Sequence, residues 1–228
     1  MFPNPTNHVC PLCQHVGVQH FHHDKRRDYF RCPVCELVFV PAAQHVSRIS
    51  ERAEYDLHCN DLDDPGYRQF LSRLAEPLSA RLASAAHGLD FGCGPGPLLA
   101  NMLRQQGHDL AVYDPMYADN PDVLSRNYDF ITCTEVIEHF RQPAQAFEQI
   151  FQCLKPGGIL GLMTKLVIDA SAFSRWHYKN DPTHVSYYSP PTMTWLATSN
   201  HCEIEFIGTD VMILTRQPAG DMQDSKAA

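Results

Sequence analysis

The chain has 228 residues, 44% of them hydrophobic and 19% charged, with a formal net charge of −8. This length and apolar content suit one main domain with a buried core plus a small appendage; the acidic balance argues against broad nonspecific nucleic-acid binding and leaves room only for a local basic patch. No apolar run is long enough to insert into a bilayer, Met1-Phe2-Pro3-Asn4-Pro5 lacks a basic region leading into a long apolar run, and nine cysteines, an odd number, make a reduced, cytoplasmic protein the expectation.

Two cysteine pairs, Cys10-Pro11-Leu12-Cys13 and Cys32-Pro33-Val34-Cys35, stand eighteen residues apart. Each pair places two thiolates on one turn, and two such turns close a tetrahedral Zn2+ site. Strand-like Asp28-Tyr29-Phe30-Arg31 and Leu37-Val38-Phe39-Val40 flank the second pair, so residues 1–45 resemble a zinc ribbon. Four sulfur ligands leave no open position, which makes the expected metal structural. Between the pairs lies His20-Phe21-His22-His23-Asp24-Lys25-Arg26-Arg27. A basic stretch of this kind suits an anionic partner such as RNA. The favoured reading is a solvated hairpin tip, because Asp24 and Asp28 flank only three basic residues.

Residues 46–86 read as a helical connector. Ser50 is placed to cap a helix through Leu57, and Asp61-Leu62-Asp63-Asp64-Pro65-Gly66 breaks it. Phe70, Leu71, Leu74, Leu78 and Leu82 then share one face of a second helix, with Pro77 as a kink point.

Leu89-Asp90-Phe91-Gly92-Cys93-Gly94-Pro95-Gly96-Pro97, followed by Leu98-Leu99-Ala100-Asn101-Met102-Leu103, reads as strand, tight glycine turn and helix. The dinucleotide pattern G-x-G-x-x-G fails in both registers, because Pro97 or Leu99 occupies the third glycine position. What stands is D-x-G-x-G-x-G. A carboxylate at that strand end repels a pyrophosphate and suits a cationic ligand; S-adenosylmethionine (SAM) carries a sulfonium and an ammonium. The stretch 89–97 resembles the first motif of class I SAM-dependent methyltransferases. That resemblance implies a Rossmann-like α/β domain over residues 87–217, with SAM contacts from Asp90, Gly92, Cys93, Gly94 and Gly96. It also implies that the segment ahead of the motif folds over the SAM pocket, with Tyr55, His58, Asn60 and Tyr67 as lid residues.

Asp109 to Asp114 reads as the second strand, ending in an acid. An acid about 20 residues beyond a nucleotide-binding glycine loop hydrogen-bonds ribose hydroxyls, so Asp114, with Pro115 beside it, is the expected ribose contact. Only thirteen residues, 115–127, separate Asp114 from the next strand, Tyr128 to Thr134. The resemblance calls for a helix and a strand there. Thirteen residues including Pro115 and Pro121 cannot hold both with connections, so the helix is expected to be lost and the third strand vestigial or absent.

Glu135-Val136-Ile137-Glu138-His139-Phe140 resembles the segment after the fourth strand in ubiquinone-biosynthesis-type methyltransferases. Ligands bind at the C-terminal ends of parallel strands, so Cys133, Thr134 and Glu135 are expected to line the pocket. Cys133 reads as a small lining residue, since direct methyl transfer needs no covalent step. Pro143 to Leu154 reads as a helix, Lys155-Pro156-Gly157-Gly158 as a turn and Ile159 to Thr164 as the fifth strand. In the polar, aromatic loop that follows, Trp176, His177 and Tyr178 suit a frame for a planar acceptor. His184, flanked by Asp181, and His139 are candidates to orient or deprotonate that acceptor. A helix over 191–200, a hairpin over 204–215 and a disordered tail over 218–228 complete the reading.

The function implied is SAM-dependent methyl transfer. Three acceptor classes stay open: a small molecule such as a phenol, quinol or sugar intermediate, which leads; RNA or a ribosomal component docked through the ribbon; or no acceptor, in a SAM- and zinc-binding interaction protein. Oligomeric state is open.

Overall fold

The chain begins with three short strands, β1 (Gln19–His23), β2 (Asp28–Arg31) and β3 (Val38–Phe39), followed by α1 (Arg48–Tyr55) and α2 (Pro65–Ser79). Then follow β4 (His87–Phe91), α3 (Leu98–Gln105), β5 (Asp109–Tyr113), β6 (Tyr128–Thr134), α4 (Pro143–Cys153) and β7 (Leu154–Met163). Next come α5 (Ala170–Ser174), β8 (Ser186–Tyr187), α6 (Pro190–Ser199), β9 (Cys202–Ile207) and β10 (Val211–Arg216). This computed structural model describes residues 8–57 and 62–218. The expected tail beyond residue 218 lies outside the described residues, and none of the described helices is long and apolar enough to cross a membrane.

The chain divides into two units, one of residues 59–135, 148–163 and 197–228, the other of residues 1–58, 136–147 and 164–196. The first contains a six-stranded sheet in the order β5-β4-β6-β7-β10-β9. β5, β4, β6 and β7 run parallel, and β10 is antiparallel to both β7 and β9. Leu71, Leu74 and Leu78 of α2 and Leu98, Leu99, Met102 and Leu103 of α3 bury their apolar faces in one core with Phe130, Met163 and Val211. Gly88 permits this packing: a Cβ there would come within 2.2 Å of the Phe130 ring. Pro77 sits in the last turn of α2, two residues before its end. β5 is the sheet edge, and residues 115–127 hold only a short 3-10 turn at Pro121–Ser125 and a bridge between Asp114 and Ala118. This is a Rossmann-like sheet, and, as expected from the length of the segment, residues 115–127 add no strand to it. Two local expectations are corrected. Ser47, not Ser50, caps α1, its hydroxyl accepting the Ser50 N–H at 3.1 Å. The fifth strand starts at Leu154, taking in the expected turn through a register irregularity opposite Tyr128–Phe130.

The second unit contains an antiparallel sheet in the order β1-β2-β3-β8. Val38 pairs with Tyr187 and Phe39 with Ser186, so the cysteine-bearing hairpins take their fourth strand from far along the chain. Tyr29, Val38, Val40, Val167, Phe173, Tyr178, Val185 and Tyr187 form its core. Glu51, buried in α1, is held by Arg141 at 2.8 Å, Arg48 at 3.2 Å and the Tyr55 hydroxyl at 3.2 Å.

Candidate active site

In the six-stranded unit the site grows from the end of β4. Gly92 and Gly94 take φ values of 81° and 62°, a left-handed backbone that glycine adopts without steric cost. The N–H groups of Gly92 and Cys93 both donate to the Tyr113 carbonyl, at 2.7 and 3.1 Å, which ties the glycine turn to the end of β5. The Asp114 carboxylate closes the same loop. Its Oδ2 accepts the Gly94 N–H at 3.0 Å, and its Oδ1 accepts those of Met116 and Tyr117 at 2.8 and 3.1 Å. A carboxylate oxygen accepts up to two bonds, so Oδ2 can take a ribose hydroxyl while holding Gly94. Gly96 accepts the Leu98 N–H at the start of α3, and Pro115 leads out of the Asp114 turn.

Asp90 is buried, and the Thr132 hydroxyl donates to it at 2.7 Å. Burial pushes its pKa up to about 6, with Thr132 and Arg104 opposing that rise and Asp114 adding to it. Cys93 and Cys133 are buried, and burial raises the Cys93 thiol to about 12, which keeps it an inert lining group. At the end of β6, the Thr134 hydroxyl is buried with no hydrogen-bond partner among the described residues. Glu135 beside it has φ of 52°, a strained backbone of the kind that collects at ligand sites. Tyr67 on α2 has its pKa raised to about 12 by burial, with Asp90 and Glu135 adding to it. The turn thus offers a close-approach glycine backbone, a buried acid suited to a cation and an unsatisfied hydroxyl, and SAM fits this donor and acceptor set.

The Asp90 pKa gives a pH prediction. Its ionised form attracts a cationic ligand and its protonated form does not. SAM affinity should therefore be constant above pH about 6. Below that pH it should fall towards tenfold per unit, because each unit spent deprotonating the acid costs about 1.4 kcal/mol. Calorimetry across pH 5–8 measures this; a flat profile in the wild type, matching that of Asp90→Asn, removes Asp90 from the cofactor site.

In the other unit a second group of side chains converges. Glu138, 1% exposed, accepts the Thr164 hydroxyl at 3.0 Å and a short hydrogen bond from the Tyr178 hydroxyl. His184 Nδ1 lies 2.7 Å from the Tyr178 carbonyl. A carbonyl only accepts, so Nδ1 carries the hydrogen, and in the neutral ring Nε2 carries the lone pair. The Thr183 hydroxyl gives its hydrogen to Asp181 at 2.6 Å, so its bond to His139 Nδ1, 3.0 Å long, runs from the imidazole N–H to the hydroxyl oxygen. Both rings are fixed in the same tautomer. Their centroids lie 4.7 Å apart, and the Tyr55 ring packs edge-on against His139 at 5.0 Å. Burial alone would raise the Asp181 pKa; Thr183, His184 and His139 hold it below the usual carboxylate range. Glu138, His139 and His184 each offer one ligand atom, and the three atoms lie within 4.8 Å of one another. A carboxylate and two imidazoles brought this close are a group of the kind that moves a proton or holds a cation.

Trp176 packs against Phe173, Tyr178 and Tyr187, and the His177 Nε2 lies 3.3 Å from the Lys165 ammonium. His58 and Asn60 lie outside the described residues. Glu138 and Thr164 carry functional geometry that the sequence reading left unassigned. For Glu138 the signal was present in Glu135-Val136-Ile137-Glu138-His139, where an acid and an imidazole adjoin just beyond a parallel strand.

The four expected cysteines come together. Cys10 and Cys35 sulfurs are 3.5 Å apart, those of Cys13 and Cys32 3.3 Å, and all four lie within 4.8 Å. These distances exceed a disulfide bond of about 2.05 Å and approach the sulfur–sulfur edge of about 3.8 Å in a tetrahedron with Zn–S of about 2.3 Å. The residues fit a four-sulfur metal site.

Comparison with known proteins agrees with this geometry. Residues 65–205, more than half of the chain, match the family model described as a methyltransferase domain. A curated relative, the ubiquinone biosynthesis O-methyltransferase of Rickettsia typhi, is 26% identical over 159 residues, which are 56% of this chain and 64% of that protein. The protein of the same name from Sodalis glossinidius is 31% identical over 85 residues, 37% of this chain and 34% of its own. The chain thus spans less than two thirds of these relatives' lengths. Among solved structures, a chain of the Haloferax volcanii Trm112 methyltransferase activator complex shares the fold with a TM-score of 0.52 at 12% identity, covering 72% of this chain and 98% of that one. An O-methyltransferase family protein from Burkholderia thailandensis does so with a TM-score of 0.50 at 13% identity, covering 75% and 64%. With the family model spanning the strand–glycine turn–helix and the sheet built on it, the chain belongs to the methyltransferase-domain family, as a class I, SAM-dependent member.

Proposed function

We propose that the protein transfers a methyl group to a hydroxyl of a small aromatic molecule. The observation that carries this reading is the Glu138–His139–His184 cluster, in which each imidazole is tied through Nδ1, His139 to the Thr183 hydroxyl and His184 to the Tyr178 carbonyl. When bound, SAM supplies the methyl group on its sulfonium. Gly92, Gly94, Gly96, Asp90 and Asp114 would hold it, with Cys93, Pro115, Cys133, Thr134 and Glu135 lining the same end of the sheet. On the acceptor side, His184 Nε2 takes the hydroxyl proton as the oxygen becomes nucleophilic, and Asp181, Thr183 and the Tyr178 carbonyl keep the ring oriented. The aromatic surroundings, Tyr55, Trp176 and Tyr178, suit a planar acceptor, and the curated relatives are named as O-methyltransferases.

A divalent cation on the same three residues is a second reading. It is favoured by the Nδ1 hydrogen bonds to a carbonyl and a hydroxyl, the usual outer partners of metal-bound imidazoles. Such an ion would lower the pKa of a bound hydroxyl. The zinc expected on Cys10, Cys13, Cys32 and Cys35 is structural in both readings.

The experiment is methyl-labelled SAM incubated with the protein and a cell extract, with and without added Fe2+ or Ni2+, ions that suit two imidazoles and a carboxylate. Label is expected in the small-molecule fraction as an alkali-stable methyl ether. Label in RNA or ribosomal fractions overturns the small-molecule reading, and a requirement for Fe2+ or Ni2+ selects the cation over the imidazole base.

A further inference from the structure

Arg27, at the tip of the β1–β2 hairpin, is only 7% exposed. Its two terminal nitrogens reach five acceptors. Nη1 donates to the carbonyls of His184 at 2.8 Å and Pro182 at 3.2 Å. Nη2 donates to the carbonyls of Lys179 and Asp181, the latter at 3.0 Å, and to the Tyr187 hydroxyl at 3.2 Å. The Tyr187 hydroxyl donates in turn to the His184 carbonyl at 2.8 Å. None of these five acceptors is a carboxylate. A guanidinium spent on four backbone carbonyls fixes the course of a chain segment, and only arginine has the rigid fork to do so; a lysine ammonium has three donors and no plane. The tip is braced from its own side. Asp24 accepts the N–H groups of Arg26 and Arg27 at 2.8 and 3.0 Å, the Tyr29 hydroxyl at 2.8 Å and the Lys179 ammonium at 3.3 Å. The guanidinium also stands 5.5 Å from the centre of the Tyr29 ring.

The segment so gripped, residues 179–184, ends in His184. The bond that sets the His184 tautomer, from Nδ1 to the Tyr178 carbonyl, closes a loop of the same residues. The loop continues into Val185, whose carbonyl accepts the Val40 N–H at 2.9 Å, and into β8, which pairs with β3. The second cysteine pair forms the turn between β2 and β3, with the Cys32 N–H donating to the Leu37 carbonyl at 3.0 Å.

We propose that Arg27 is a positioning residue for His184, and that the cysteine ribbon works in cis as the frame of the acceptor loop rather than as an arm that docks a macromolecule. This rests on the reading of His184 as the acceptor-side base. Without the guanidinium, four carbonyls lose a shared donor, and the loop that holds the Tyr178 carbonyl in line with His184 Nδ1 loosens, so that the imidazole samples both tautomers. A displacement of about 1 Å in a catalytic group costs on the order of 10²-fold in rate.

The test uses the zinc-loaded chain of 228 residues with 15N-labelled histidine. Long-range 1H–15N NMR reads the His184 tautomer in the wild type and in Arg27→Met, Arg27→Lys, Tyr187→Phe and Arg26→Ala. The first two variants should lose the pure Nδ1–H signature, and Tyr187→Phe should lose part of it. Arg26→Ala should keep it, because the exposed Arg26 makes only a 3.4 Å contact to the Asn180 carbonyl. In parallel, single-turnover methyl transfer to catechol, as a probe acceptor, should fall on the order of 10²-fold in both Arg27 variants with SAM affinity unchanged. If Arg27→Met fails to fold, Arg27→Lys and Tyr187→Phe decide. An unaltered His184 tautomer in the folded Arg27 variants overturns the proposal. A wild-type protein that does not methylate catechol bears on the acceptor reading alone, since the NMR arm stands without it.

Discussion

His184→Ala should lower the single-turnover rate of methyl transfer by about 10²–10⁴-fold, the span lost when a positioned acid–base group is removed. The expectation follows from the geometry. Nδ1 is committed to the Tyr178 carbonyl at 2.7 Å, and Asp181 Oδ2 lies 3.6 Å from Nε2, near enough to stabilise the imidazolium that proton uptake would form. His139→Ala should have a smaller effect, because its Nδ1 serves the Thr183–Asp181 chain that orients the pair. SAM affinity should stay within about twofold in both variants, since the glycine turn and Asp114 belong to the other unit. The assignment fails if both variants transfer methyl at the wild-type rate; catalysis would then rest on alignment alone.

Cys32→Ser should reduce bound zinc from about one equivalent per chain to near none and abolish transfer, while SAM still binds. A four-sulfur site contributes its binding free energy to folding, about 10–16 kcal/mol in small zinc peptides, so losing one ligand releases the hairpins it joins. Here that release reaches further than a ribbon would on its own. β3 would lose its pairing with β8, and Arg27 its hold on residues 179–184. Metal analysis, SAM calorimetry and a folding probe such as Trp176 fluorescence measure the three consequences together. Full zinc content in the variant would show that Cys32 is not a ligand.

The legible parts of this chain were those fixed by neighbours in sequence. The glycine turn declared itself because the strand, the D-x-G-x-G-x-G pattern and the helix lie within fifteen residues, Leu89 to Leu103. The missing third strand could be counted out of residues 115–127, and the four cysteines were grouped by their spacing. What escaped was set by distant partners. Arg27 looked like one of three basic residues on a solvated tip, yet its acceptors lie 152–160 positions away. The two-residue strand β8 carries no alternation to announce it; Ser186–Tyr187 is a strand because β3 offers an edge. Glu138 stood in a segment read only for its likeness to the stretch after the fourth strand, and its partners Thr164 and Tyr178 lie 26 and 40 positions on. Ser47 and Ser50 differ by one turn, a choice that only the cap geometry makes.

The pairing of Val38 with Tyr187 also dictates an order of events during synthesis. At about 5–20 residues per second, the ribosome needs roughly 7–30 s to advance from the first of these residues to the second. Throughout that interval β3 is a nascent edge strand with two apolar side chains, Val38 and Phe39, and no outer partner. The four clustered cysteines, Cys10, Cys13, Cys32 and Cys35, all emerge earlier. Early metal capture would fix β2 against β3 while the rest of the chain is still being made, leaving the outer edge of β3 ready to accept Ser186–Tyr187 when it arrives. Under zinc starvation the same hairpins would wait unpaired on both sides, and newly made chains, rather than mature ones, would be those lost to aggregation.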